Sequence, residues 1–330
     1  MRLLRAELER FRHRGVVRLV TAMVLLASVG YVILAWSNTA PPTAAERAAA
    51  QELHDQSAAQ LAVTSPRFVT RCLARKEAVE AQGQVFEMSR APLEQPPVEA
   101  YLESPPEFGE VGPSAAHGLG IAAVIAALAM GVSFVAAEFG SGSMGTWLTF
   151  VPRRTRVVRT KTTAAALGIL PGTLAAFAVA TFGIALVFQV RGMSLDDSVA
   201  WSEIGRTALV VIPAAVVAAI LGAAIAFALR HAAAVAGIVV WWFVAVEVTL
   251  PQIFPAVAPA TVGLNLRAWL DGSATYIVDE CRPNPDLPGT QLCESVTKAV
   301  GAGHGAVVVL LFTAVVVAIG AFAFRRRAVA

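Results

Sequence analysis

Residues 138–161 read EFGSGSMGTWLTFVPRRTRVVRTK, a basic stretch punctuated by Gly140, Gly142 and Gly145. On either side the chain carries no Asp, Glu, Lys or Arg, from Gly118 to Ala137 before it and from Thr162 to Val190 after it. A helix needs about 20 apolar residues to cross a bilayer. The stretch therefore reads as a cationic hinge between two membrane spans. Working outward, Leu19 to Trp36, Thr207 to Leu229 and Gly305 to Phe324 are also free of charge, and Ala232 to Leu250 carries only Glu247. With 56% hydrophobic and 15% charged residues, and a mean hydropathy of +0.64, the composition excludes an ordinary soluble globular domain. The expectation is an all-α integral membrane protein with six transmembrane helices: 19–36, 118–137, 162–190, 207–229, 232–250 and 305–324.

Orientation follows from Lys and Arg, which concentrate in cytoplasmic segments. Placing both termini in the cytoplasm puts 15 of the 26 basic residues inside, in 1–18, 138–161, at Arg230 and in the basic tail 325–330. The same segments hold only the acids Glu7, Glu9 and Glu138. The net charge of +3 thus conceals a strongly positive inner side and a negative outer side, which reports topology and gives no reason to expect nucleic acid. In residues 1–18, Leu4, Leu8 and Phe11 share a helical face among arginines, suiting an interfacial helix; a purely basic anchor is the other reading. A secretory signal, cleaved near Ser37 to Ala40, is a third, but cleavage would remove a span that the remaining topology needs.

Two insertions then face outward, 37–117 and 251–304. In the first, Thr43 and Glu46 have capping-box spacing before a helical pattern to about Leu61, and a second helical stretch runs from about Val69 to Ala81. Pro92, Pro96, Pro97, Pro105, Pro106 and Pro113 follow, so this insertion reads as a helical cap with a proline-rich arm. The second reads as a loop holding Cys281 and Cys293, a disulfide on an oxidising face and two free thiols otherwise. Cys72 is the odd one out, and the sequence does not fix its state.

Most catalytic chemistry finds no support. Gly140, Gly142 and Gly145 spell G-x-G-x-x-G, but a dinucleotide site needs a preceding strand and a βαβ unit, and here a membrane helix precedes. No P-loop motif is present, so ATP chemistry would have to come from another chain. The five histidines lack metal-ligand spacing. Neither a catalytic residue nor a metal site is expected. Glu247 is the one ionisable group inside an apolar span, either a candidate intramembrane polar site or a carboxylate riding at the outer interface beyond Trp241 and Trp242. Pro171 and Pro213 fall inside spans, and Ala219, Gly222, Ala223 and Ala226 form a small-residue face that permits close helix contact.

The hinge carries the resemblance. Glu138 closes the second span, Gly142 and Ser143 follow four residues on, then come Trp147, Leu148, Phe150, Pro152, Arg153, Arg154 and Arg156, and Lys161 leads into the third span. This pattern, with the six-span plan and the interfacial N-terminal helix, resembles the ABC type-2 exporter permease family; both outer insertions fall outside it. The resemblance implies a permease subunit of the bacterial cytoplasmic membrane, not itself an enzyme. It would work as a dimer with a second copy or a homologous permease, with membrane lipids around it. ATP and Mg2+ would be held by a separate nucleotide-binding ATPase subunit. The implied cargo is lipid-linked, drug-like or peptidic, and an alanine- and valine-lined path would suit an amphipathic or apolar molecule. Trp147, Leu148 and Phe150 would supply the apolar docking contact, Arg153, Arg154 and Arg156 its register or simply inner-face anchoring, and Glu138 a brace for the hinge. The alternative is a membrane-anchored binding or signalling module acting through its outer cap.

Overall fold

The computed structural model describes residues 2–80, 95–150, 153–283 and 291–326. They fall into two compact units, one built of Met1–Ala35 and Phe108–Ala330, the other of Trp36–Glu107.

The larger unit is a helical membrane architecture. Six helices are long and apolar enough to cross a bilayer: Gly15–Asn38, Phe108–Gly140, Arg154–Val190, Ser198–Leu229, Ala232–Ile253 and Ala302–Arg326. In chain order its elements are α1 (Arg2–His13), α2 (Gly15–Asn38), then, after the smaller unit's α3 (Ala44–Glu80), α4 (Phe108–Gly140), α5 (Ser143–Phe150), α6 (Arg154–Gly168), α7 (Leu170–Val190), α8 (Ser198–Leu229), α9 (Ala232–Trp242), α10 (Leu250–Ile253), α11 (Val262–Asp271), the strands β1 (Ser273–Pro283) and β2 (Gln291–Gly301), and α12 (Ala302–Arg326). The third span is broken at Ile169, where α6 yields to α7 and Pro171 lies in the first turn of the new helix, because proline has no N–H to give the preceding turn. Pro213, by contrast, lies within an unbroken α8.

At the centre, α4 packs along α8, and the small-residue face makes this possible. Ala219, Gly222, Ala223 and Ala226 are all buried there. Gly222 lies against the Leu128 carbonyl and Gly131 against the Ala219 carbonyl, so close that neither site has room for a Cβ. Between membrane helices, where lipid is as apolar as leucine, such close van der Waals contact is a main source of association. The outer surfaces of α2 and α9 remain uncovered, with Leu26 69% and Val240 63% exposed, as suits faces turned to acyl chains. At one end of the bundle Phe139, Phe227 and Phe324 stack pairwise, with ring centroids 5.1 to 6.2 Å apart.

Residues 251–304 hold more regular structure than the expected loop. After α10 and a tight 3-10 stretch, α11 leads into an antiparallel hairpin whose register runs from Ser273 opposite Gly301 to Pro283 opposite Gln291. Thr275, Tyr276, Ile277 and Val278 are strong strand formers, and Cys281 faces Cys293 across the ladder, joined by a disulfide. The masking signal was the proline group Pro283, Pro285 and Pro288; the first closes β1, and the other two lie outside the described residues.

The smaller unit consists chiefly of α3. Its start is a capping box: the Thr43 N–H donates to Glu46 Oε2 at 2.6 Å, and the Glu46 N–H donates to Thr43 Oγ1 at 3.3 Å. One continuous helix replaces the two expected stretches and passes through Pro66, whose carbonyl accepts from the Thr70 hydroxyl at 2.8 Å. Tyr101, in a short 3-10 turn after Pro97, packs edge-on against His54 at 5.9 Å. Cys72 is a free, half-buried thiol on α3.

Candidate functional site

The hinge at residues 138–161 is a turn, a short helix and the start of the third span. Gly142 adopts φ +69°, a conformation open to glycine at no steric cost, and this lets the chain reverse out of α4 into α5. The Ser141 and Ser143 hydroxyls both donate toward the Glu138 carbonyl at 3.4 Å, closing the turn with groups that α4 can no longer satisfy. Met144 is fully buried and anchors α5 to the bundle, while Trp147 and Leu148 are half-buried against the same core. Phe150 is 77% exposed. Of the three residues read as an apolar docking contact, Phe150 alone is turned largely outward. Pro152 lies outside the described residues.

The cationic half divides in two. Arg153, Arg156 and Arg159 are exposed. Arg154 instead reaches the end of α12, donating to the Phe324 carbonyl at 2.9 Å and the Arg325 carbonyl at 3.2 Å. It thereby satisfies carbonyls that the last turn of a helix leaves without partners. Lys161 is fully buried. Its Nζ donates to Glu138 Oε1 at 2.7 Å and to Glu7 Oε2 at 2.8 Å, and lies 4.8 Å from the centre of the Phe134 ring. Glu7 is fully buried and Glu138 is 7% exposed. One ammonium thus ties together α1, the end of α4 and α6.

Two carboxylates around one ammonium would leave a buried negative charge, and two arginines of α1 and its exit offset it. Arg10 lies 3.9 Å from Glu7 Oε1 and 4.2 Å from the centre of the Trp147 ring. Arg14 donates to the Phe134 carbonyl at 2.9 Å; burial lowers its guanidinium from the ordinary arginine value, and the charge of Glu138 opposes that shift. Phe11, fully buried, meets Phe134 edge-on at 5.1 Å and fills the space beside Gly168.

Glu7 is the member that sequence reasoning missed, although a signal was there. It falls on the same helical face as Leu4, Leu8 and Phe11, three residues after the first and four before the last, and a charge in the middle of an apolar stripe has to be paired.

Beside this cluster an open groove of about 590 Å3 runs between α1, which contributes Arg10 and His13, and α5, which contributes Thr146, Trp147 and Phe150. Glu138 and Arg14 also line it.

Glu247 sits in a one-turn π-helical segment, Phe243–Thr249, continuous with α9. Its Oε1 accepts from Trp242 Nε1 at 2.9 Å and from the Val262 N–H at 3.0 Å, and its Oε2 accepts from the Gly263 N–H at 2.6 Å. It acts as the cap of α11, whose own Thr261 makes no side-chain cap. Gly263 leaves the space the carboxylate fills. With three donors on two oxygens, Glu247 has a structural task. Asn265, buried in the first turns of α11, donates to the Pro259 and Thr261 carbonyls and holds the approach to the helix.

The chain matches no protein-family model, no curated protein and no solved structure.

Proposed function

We propose that the chain is the permease subunit of an ABC-type exporter in a bacterial cytoplasmic membrane. Both termini and the 138–161 hinge face the cytoplasm, and the 37–117 and 251–304 insertions face outward. The subunit works as a dimer with a second permease, identical or homologous. Two copies of a separate ATPase subunit bind ATP and Mg2+ and supply the movement; the cargo is amphipathic or apolar.

The observation that carries this reading is the buried bridge from Lys161 to Glu138 and Glu7. A coupling element has to pass a displacement to the spans rather than absorb it in a loose loop. Here α5 is held between the end of α4 and the start of α6, and Lys161 fastens both to α1. A push on the exposed tip of α5, at Phe150, is thereby delivered to the second and third spans and the interfacial helix together. The resemblance of the hinge pattern, from Glu138 through Gly142 and Ser143 to Lys161, supports the same assignment. The exposed Arg153 and Arg156 offer charge for alignment with an acidic partner surface.

The deciding experiment is co-purification of the tagged chain from its native membrane in mild detergent. A soluble P-loop protein recovered at one copy per chain is the expected result. Its absence, under conditions that preserve a known ABC complex, overturns the assignment and favours a membrane-anchored module acting through its outer unit.

A further inference from the structure

We propose that the groove between α1 and α5 binds the phosphodiester headgroup of an anionic membrane phospholipid. The site shares Trp147 and Phe150 with the coupling element but adds the cationic side chains of α1, which the coupling reading leaves without a task.

The charges come first. Glu7 and Glu138 share the single ammonium of Lys161, so the three together carry one net negative charge. Arg10 and Arg14 outweigh that charge by one, so the groove, which Glu138 also lines, keeps an excess of one positive charge with His13 beside it. Arg10 is no free surface arm: its guanidinium lies over the Trp147 ring at 4.2 Å and 3.9 Å from Glu7 Oε1, an ion pair without a hydrogen bond that leaves its N–H donors open. A guanidinium pre-positioned in this way loses little side-chain entropy on meeting an anion and presents paired donors matched to phosphate oxygens. Trp147, which also lines the groove, has an Nε1 that is buried with no hydrogen-bond acceptor among the described residues.

Position identifies the source of the phosphate. Arg14 immediately precedes the first spanning helix, and Glu138 lies in the last turns of the second. The groove therefore sits where apolar spans end and lipid headgroups begin. Its volume of about 590 Å3 lies within the range of small-ligand sites. Tryptophan is one of the residues that settle at this level of a bilayer, and Trp147 lines the groove. A zwitterionic lipid carries a phosphate too but no net charge, so the groove's excess positive charge favours a net negative headgroup. Arg153 and Arg156 do not line the groove and stay open to a protein partner.

The test uses the full chain in detergent, with native mass spectrometry reading retention of phosphatidylglycerol against phosphatidylcholine. Phosphatidylglycerol is expected to bind preferentially. Arg10→Gln should weaken its retention roughly fivefold, the worth of one arginine near an anionic headgroup. Trp147→Phe, which keeps the ring and removes the donor, should also weaken it. Arg12→Gln, an equal charge loss at an exposed position of α1 outside the groove, should leave it unchanged. Equal retention of the two lipids, or equal loss in the Arg10 and Arg12 variants, overturns the proposal. So does full displacement by millimolar inorganic phosphate, which would make the groove a free-phosphate site. Unchanged lipid retention in Arg10→Gln with loss of a co-purifying protein would assign the groove to an acidic protein segment instead.

Discussion

Lys161 Nζ lies 2.7 Å from Glu138 Oε1, and the two residues stand at opposite ends of the hinge. The pair closes the hinge into a loop fastened at its base, and Glu7, 2.8 Å from the same nitrogen, fastens that base to the N-terminal helix. Removing one partner of a buried ion pair typically costs about 3–5 kcal/mol because it strands an uncompensated charge. Lys161→Met strands two carboxylates and should be the most damaging single change in the cluster, with loss of that order. Glu7→Gln and Glu138→Gln each leave Lys161 one carboxylate and should cost less. Thermal unfolding in detergent of the three variants checks the order. A loss in Lys161→Met no larger than in either glutamate variant would mean that the ammonium is not the pivot of the cluster.

The α4–α8 contact is the second place where one atom decides. Gly222 has the Leu128 carbonyl where a side chain would begin. Gly222→Leu must therefore separate the helices along the centre of the bundle, and overpacking of this kind costs about 1–3 kcal/mol. Gly205, also on α8 but with open space around it, is the matched control. We expect Gly205→Leu to purify as well as the parent chain and Gly222→Leu to lose yield and thermal stability.

Much of this architecture was legible in the sequence, and what was not had a common cause. The spans could be read because bilayer thickness imposes a length on apolar runs, and Glu138 and Lys161 stood out because they bound such runs. Glu7 counts as one acid among many arginines, because charge counting ignores which face of a helix a residue occupies. The hairpin at β1 and β2 was hidden because prolines mark a turn without revealing that the residues flanking it pair. Glu247 drew attention as the lone charge in a span, yet its role as the cap of a helix beginning 15 residues later depends on a chain reversal that no local pattern encodes. Of the residues grouped as a docking contact, composition could not separate Trp147 and Leu148, which face the core, from Phe150, which does not.

Capping by Glu247 gives a third expectation. Glu247→Gln keeps the shape and one acceptor oxygen but loses the charge that favours a helix N-terminus, so a modest loss of about 1 kcal/mol or less is expected. Gly263→Val places a side chain where the carboxylate lies, 2.8 Å from Oε2 for the first carbon alone, and should be the more damaging change. Hydrogen exchange across 262–271 reads the effect locally. Unaltered protection in Gly263→Val would remove the capping role from Glu247.

The hairpin supplies a dependence on pH with a defined sign. Hydrogen bonding from Lys298, 2.8 Å away, holds the Glu280 carboxyl below its ordinary value of 4.5, with the charge of Lys298 adding to the effect. A carboxylate depressed in the folded state contributes stability that is present above its unfolded value and is lost as the pH falls through the folded one. The link should therefore be intact at neutral pH and disappear below the ordinary carboxylate range. Lys298→Gln should return the Glu280 titration midpoint toward 4.5, as followed by carboxyl carbon NMR. A midpoint that does not move in that variant would leave Lys298 without influence on Glu280.

Phe150, 77% exposed at the tip of α5, tests the coupling contact, and Arg10, which is no part of α5, tests the lipid groove. Phe150→Glu replaces an exposed ring without disturbing the buried anchors Met144 and Lys161, so membrane insertion and thermal stability should stay within about 0.5 kcal/mol of the parent, as is usual for surface changes. If the tip of α5 docks into an ATPase, a carboxylate there should abolish the stimulation of ATP hydrolysis in the reconstituted complex. Arg10→Gln should leave that stimulation largely in place while weakening phosphatidylglycerol retention. Stimulation that survives Phe150→Glu would remove α5 from the docking surface. Stimulation lost equally in both variants would mean that the lipid groove and the coupling contact are a single surface.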